Sequence, residues 1–141
     1  MSSAASRPLP VPDEQSAPFW QAAARGELCV AQCGKCGQVT FPPDMTCPHC
    51  QTTEPDFAFV PVSGRGRVRT WTVIRRSYLQ GFDSPFVLVD VELEDHPDLR
   101  LVARLLDGEQ PGLAVGAAVT ARFEELAPGV CVPAFKLEPV R

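Results

Sequence analysis

Cys33-Gly34-Lys35-Cys36 and Cys47-Pro48-His49-Cys50 are two Cys-x-x-Cys pairs with ten residues between them, and that spacing governs how the flanking sequence is read. A tight turn at each pair aims both sulfurs at one point while backbone N–H groups approach the thiolates. Gly37, directly after the first pair, supplies the positive φ that such a turn wants. Two turns at the ends of a short hairpin make a tetrahedral four-sulfur site, the arrangement of a zinc ribbon. With Cys33, Cys36, Cys47 and Cys50 all serving as ligands, no position is left for water or substrate, so the predicted zinc is structural. Iron suits the same geometry. A thioredoxin-type redox pair is the competing reading, but it needs one Cys-x-x-Cys at a helix start after a strand, and neither pair has that setting. The surrounding segment, 28–60, is too short to bury a useful core. Metal coordination must then supply folding free energy on the order of 10 kcal/mol.

Ahead of the ribbon, residues 13–27 read as a short helix, with Ser16 as cap, Pro18 in the first turn and Gly26 as the left-handed exit. Phe19, Trp20, Ala23 and Ala24 form an apolar stripe, which packs on the rest of the chain or docks on a partner. Residues 1–12 are small and proline-rich, lack the basic-then-apolar order of a secretory signal, and read as a disordered tail. The expected compartment is therefore the cytoplasm, where six cysteines read as ligands or free thiols before disulfides. Cys29 and Cys131 read as small buried hydrophobes. No apolar run approaches the ~20 residues of a membrane span.

Residues 61–141 read as β-structure throughout. Val87, Val89, Val91 and Leu93 share one face of a strand over 86–94. Leu99, Leu101, Ala103 and Leu105 alternate with Arg100, Val102 and Arg104, and Val119, Ala121 and Phe123 with Thr120, Arg122 and Glu124. Further strands cover 66–76 and about 130–137, with turn chemistry at 95–98, Asp107-Gly108 and Pro128-Gly129. The 107–117 connection holds Gly108, Pro111, Gly112 and Gly116 and reads as loop. Five strands in this length suit a small closed barrel, which leaves no exposed sheet edge. The predicted fold is mainly β: an N-terminal helix, a zinc ribbon and a five-stranded OB-fold barrel, with a small sandwich as the alternative.

On the first barrel strand, alternation places Arg67, Arg69, Trp71 and Val73 on one face. Arginines beside an exposed aromatic suit phosphates and a stacked base, and therefore a nucleic acid or the head group of CoA. A partner surface, or a solvated face with one packed tryptophan, fits equally, and these readings stay open. The formal charge of −4, more negative still once thiolates bind a divalent ion, disfavours nucleic acid. So does an aromatic content of 8%, thin for a stacking platform. Single-strand nucleic-acid binding is thus the runner-up. A stand-alone hydrolase or redox enzyme has less support. The two histidines, His49 inside the second knuckle and His96 in a turn, have no evident nucleophile or carboxylate beside them.

Taken in order, these motifs resemble those of a family in which a rubredoxin-like zinc ribbon precedes an acyl-CoA-associated OB-fold. The carriers are Phe19-Trp20 ahead of Gly26-Glu27-Leu28, then Cys33 and Cys36, Phe41-Pro42-Pro43, and Cys47-Pro48-His49-Cys50. Ser63-Gly64-Arg65-Gly66, Pro85-Phe86-Val87 and the turn leading to Phe123-Glu124 follow. The resemblance spans about 16–137. It implies a non-catalytic subunit in a hetero-oligomer with a thiolase-like or hydratase enzyme, helping to hold CoA thioesters in lipid or steroid side-chain metabolism. The four ribbon cysteines carry over as zinc ligands and no catalytic residue does. Cys29 stands where an aliphatic residue is expected, and the enzyme partner is expected on a separate chain.

Overall fold

The computed structural model describes residues 7–139. The first half of the expected tail, residues 1–6, lies outside them. Residues 7–12 form neither helix nor strand, yet Arg7 is seated on the barrel against Glu124, unlike the free tail expected.

Helix α1 spans Ala17–Ala24. Ser16 occupies the cap position but makes no side-chain cap bond. Instead the Asp13 N–H donates to Ser16 Oγ (3.0 Å) and the Ser16 N–H to Asp13 Oδ1 (2.7 Å), a reciprocal box one turn earlier than the sequence suggests. At the other end Gly26 (φ 78°) closes a Schellman motif: its N–H donates to Ala23 O and that of Glu27 to Ala22 O. The inward stripe is Phe19, Ala22 and Ala23, spaced i, i+3, i+4, with Ala24 exposed. Phe19 packs within its own chain, on Trp20 (5.0 Å between centroids) and Phe41 (5.2 Å).

The ribbon sheet has the order β2-β1-β3, from β1 (Cys29–Gln32), β2 (Val39–Thr40) and β3 (Ala58–Pro61). The barrel is built from β4 (Arg65–Ile74), β5 (Phe86–Leu93), β6 (Arg100–Leu105), β7 (Ala118–Ala127) and β8 (Val130–Leu137). It closes in the order β4-β5-β6-β8-β7. All neighbours are antiparallel except β6 and β8, which run parallel. This is the predicted OB barrel. Val87, Val89, Val91 and Leu93 all point inward and are buried, so strict alternation on β5 sets the core.

The 107–117 connection does more than join β6 to β7. β7 pairs with β4 only over Arg65–Arg67, and beyond that point the connection takes over: the Val68 N–H donates to Ala117 O and the Gly116 N–H to Val68 O. Leu113 and Ala117 pack on the core there. Phe19 of α1, Leu28 and Val30 of the ribbon, and the barrel interior form a single apolar cluster.

Candidate metal centre

The two knuckles repeat one backbone pattern. The Cys33 N–H donates to Gln38 O and the Gly37 N–H to Cys33 O; the Cys47 N–H donates to Thr52 O and the Gln51 N–H to Cys47 O. The residue after each pair is left-handed, Gly37 at φ 75° and Gln51 at φ 63°. Only the glycine was legible in the sequence; Gln51 is held there by the second knuckle's own hydrogen bonds. Gly34 is required for another reason. Its N–H donates to Pro55 O at 2.7 Å, and a Cβ would stand 2.9 Å from Asp56 O. The chain approaching β3 is thereby clamped onto the first knuckle.

The four sulfurs lie within 4.8 Å of one another. Cys33 to Cys50 and Cys36 to Cys47 are each 3.8 Å. A tetrahedral ion about 2.3 Å from four sulfurs sets them about 3.8 Å apart, so the cluster has the dimensions of a four-thiolate centre. The first cysteine of each pair is buried and the second, Cys36 or Cys50, faces outward. Backbone N–H groups aim at the sulfurs, Lys35 N–H to Cys33 Sγ at 3.3 Å among them. The N–H of Cys50, and after it that of His49, hold the Cys47 thiol down to about 7 against desolvation. At Cys36 the Gln38 N–H pulls downward, but desolvation and the crowding of Cys47, Cys50 and Cys33 prevail and push it up to about 11. Four thiolates can coexist here only around a cation, and binding one expels protons.

His49 is exposed with Nε2 3.0 Å from Val39 O, which ties the second knuckle to β2. His96 accepts through its backbone in the turn before Leu99, as predicted. Cys29 is buried, and burial pushes its thiol up; Cys131 is half-buried.

The predicted face on β4 is corrected. Gly66 and Val68 stand opposite Leu93 and Val91, then the register slips at Arg69, and Trp71 and Val73 stand opposite Val89 and Val87. Arg69 is the extra residue of a β-bulge. Trp71 therefore turns to the core side with Val73, half-buried, while Arg67 and Arg69 stay exposed. The arginine–tryptophan stacking platform is dismantled. Arg67 is partly engaged, donating from Nη1 to Gly116 O at 3.0 Å. In the adjoining groove of about 390 Å³, Glu92, Glu94 and Glu138 outnumber Arg65 and Arg67, and Arg65 is paired with Glu94 at 2.7 Å.

A family model of the ChsH2 rubredoxin-like zinc ribbon domain matches residues 20–56, and one of the ChsH2 C-terminal OB-fold domain matches residues 59–124. A DUF35 domain-containing scaffold protein of Methanothermobacter thermautotrophicus is 30% identical over 120 residues, 82% of this chain and 88% of that one. The chain belongs to the DUF35 family. A solved DUF35 chain described as the Ltp2-ChsH2(DUF35) aldolase superposes with a TM-score of 0.78 at 29% identity, covering 91% of this chain and 98% of that one. A DUF35 structure from Sulfolobus solfataricus, at TM-score 0.56 and 16% identity over 86% of this chain and 83% of that one, shares the fold. A probable enoyl-CoA hydratase alpha subunit of Thermomonospora curvata is 29% identical over 130 residues, 92% of this chain. The chain spans 40% of that protein's length.

In this DUF35 chain the Ser63-Gly64-Arg65-Gly66 stretch is a strand crossing. Ser63 donates from its N–H and hydroxyl to the Asp95 carboxylate, which holds that carboxyl below its usual range. A Cβ on Gly66 would lie 2.5 Å from Glu92 O and from Val91 Cγ1. The glycine lets β4 and β5 cross at close quarters.

Proposed function

We propose that this DUF35 protein is a non-catalytic accessory subunit of a thiolase-like acyl-CoA enzyme, an aldolase, acyltransferase or thiolase, and that its ribbon carries one structural zinc. The observation that carries the reading is the near-complete mutual coverage with a chain of the Ltp2-ChsH2(DUF35) aldolase. The relatives described as scaffold proteins and as a hydratase subunit support it further. So does the chemistry of the site: four thiolates fill a tetrahedral ion, and a filled ion holds no substrate. Arg67 and Arg69, two of the exposed side chains of β4, are the ones offered to a CoA phosphate or to the partner's surface. Trp71 supports that strand from the core side.

Co-expression with a thiolase-like acyl-CoA enzyme of the same organism tests the reading. A stable complex is expected, with one zinc per copy of this chain and an enzyme that loses activity or solubility when expressed alone. Recovery of the two proteins separately, with the enzyme fully active, overturns it. A red preparation would identify the ion as iron.

A further inference from the structure

Residues 7–12 lie outside both regions that the family models match. They bury little apolar surface, Leu9 being 45% and Val11 90% exposed. What seats them is Arg7. Its Nη2 is 3.2 Å from Glu124 Oε1 on β7, with the two side chains 18% and 14% exposed. Its guanidinium also lies 5.4 Å from the centroid of the Phe82 ring. Glu124 is also held in place by Arg104 of β6. Phe82 stacks on Phe86 at the start of β5, 5.4 Å between centroids.

Phe82 belongs to the 75–85 connection between β4 and β5, which displays Tyr78 at 89% and Leu79 at 59% exposure. Its other fastenings among the described residues are an exposed Arg75–Glu109 pair at 3.4 Å and a local turn between the Ser77 hydroxyl and the Leu79 backbone. Both are weak, since an exposed pair contributes little and the turn is internal to the loop. The Arg7 contact differs: it reaches a partly buried carboxylate and an aromatic face at once, where charge is poorly screened. Pro8, Pro10 and Pro12 restrict the segment in the unfolded chain too, so laying it down costs less conformational entropy than an ordinary six-residue stretch.

We propose that residues 7–12 are a strap, fastened by Arg7, that holds the β4–β5 connection against the barrel and fixes how Tyr78 and Leu79 are presented. The loop's order is set by a residue 117 positions away from Glu124 in sequence. Release of the strap frees the loop without unfolding the barrel.

Limited trypsin digestion of the full chain tests this, because Arg75 and Arg76 lie in the connection while Arg7 precedes Pro8, a bond trypsin does not cut. Cleavage sites are read by mass spectrometry. Cleavage of a transiently opened loop tracks the open population when reclosing is fast. Arg7→Ala is expected to speed cleavage after Arg75 and Arg76 about fivefold, the scale of one partly buried cation–aromatic and ion-pair contact, with cleavage after Arg25 unchanged. Phe82→Leu is expected to speed it as well, and the double variant to fall short of the product of the two effects, because the side chains act through one contact. An unchanged rate in Arg7→Ala, an equal rise at Arg25, or full multiplicativity in the double variant overturns the proposal.

Discussion

The Glu124 carboxylate accepts from two guanidinium groups, Arg104 and Arg7, while only 14% exposed. Burial alone would push its pKa up; the hydrogen bonds from Arg104 and Arg7 outweigh it and hold the group below the ordinary 4.5. The unfolded chain then takes up the proton more readily than the folded one. The stabilisation is present in full above the unfolded value and is lost as pH falls through the lowered folded value. Glu124→Gln is expected to cost about 1–2 kcal/mol near neutrality, the scale of charged hydrogen bonds at a partly buried site. The check is the gap in urea midpoint between wild type and variant, measured from about pH 7 to about pH 3. It should stay constant to about pH 5.5 and shrink below about pH 4.5. A gap that persists through the acid range would mean that shape and not charge holds the two arginines.

β4 is the element where alternation misleads. Arg69 adds one residue to one side of a ladder, so that Val68 and Trp71, three apart, point the same way. Removing it leaves Val68, Thr70, Trp71, Thr72 and Val73 in unbroken alternation, with both Val68 and Trp71 still inward. Removing Thr72 instead turns Val73 outward. Deletion of Arg69 is therefore expected to give a folded protein with its tryptophan emission little changed, having lost only the local twist a bulge confers. Deletion of Thr72 should lower the urea midpoint much further, and the opposite ranking would place the bulge elsewhere. β5 was legible because its pattern is local and uninterrupted: Val87, Val89, Val91 and Leu93 need no knowledge of the partner strand to be assigned inward. The knuckles were legible for the same reason, since four cysteines at fixed spacing specify their own geometry. A bulge leaves no mark on composition. Nor does a contact such as Arg7 with Glu124, which depends on two distant segments being brought together by everything between them.

At the scale of the whole molecule, the ribbon is not an appendage. Leu28 and Val30 share one buried cluster with Phe19 and with Val68, Leu93, Val119 and Phe135 of the barrel, and the Val62 N–H donates to Leu28 O where the chain passes from ribbon to barrel. The small β2-β1-β3 sheet has little core of its own, so the ion's binding free energy is spread through this shared cluster to strands that never touch a cysteine. Metal should then stabilise the barrel by mass action. Free zinc held at about a hundred times its Kd adds about 2.7 kcal/mol to anything that unfolds together with the site. With metal bound, urea unfolding should be one transition, seen alike by circular dichroism and by metal release to a chromogenic chelator. Adding a strong chelator, or making Cys36→Ser, should lower the midpoint of the barrel's own strands, read by amide exchange along β5 and β6, and not merely expose β1. A barrel whose midpoint is unmoved while the ribbon unravels would mean that the two units share a surface without sharing stability, and that the apolar cluster joining them transmits nothing.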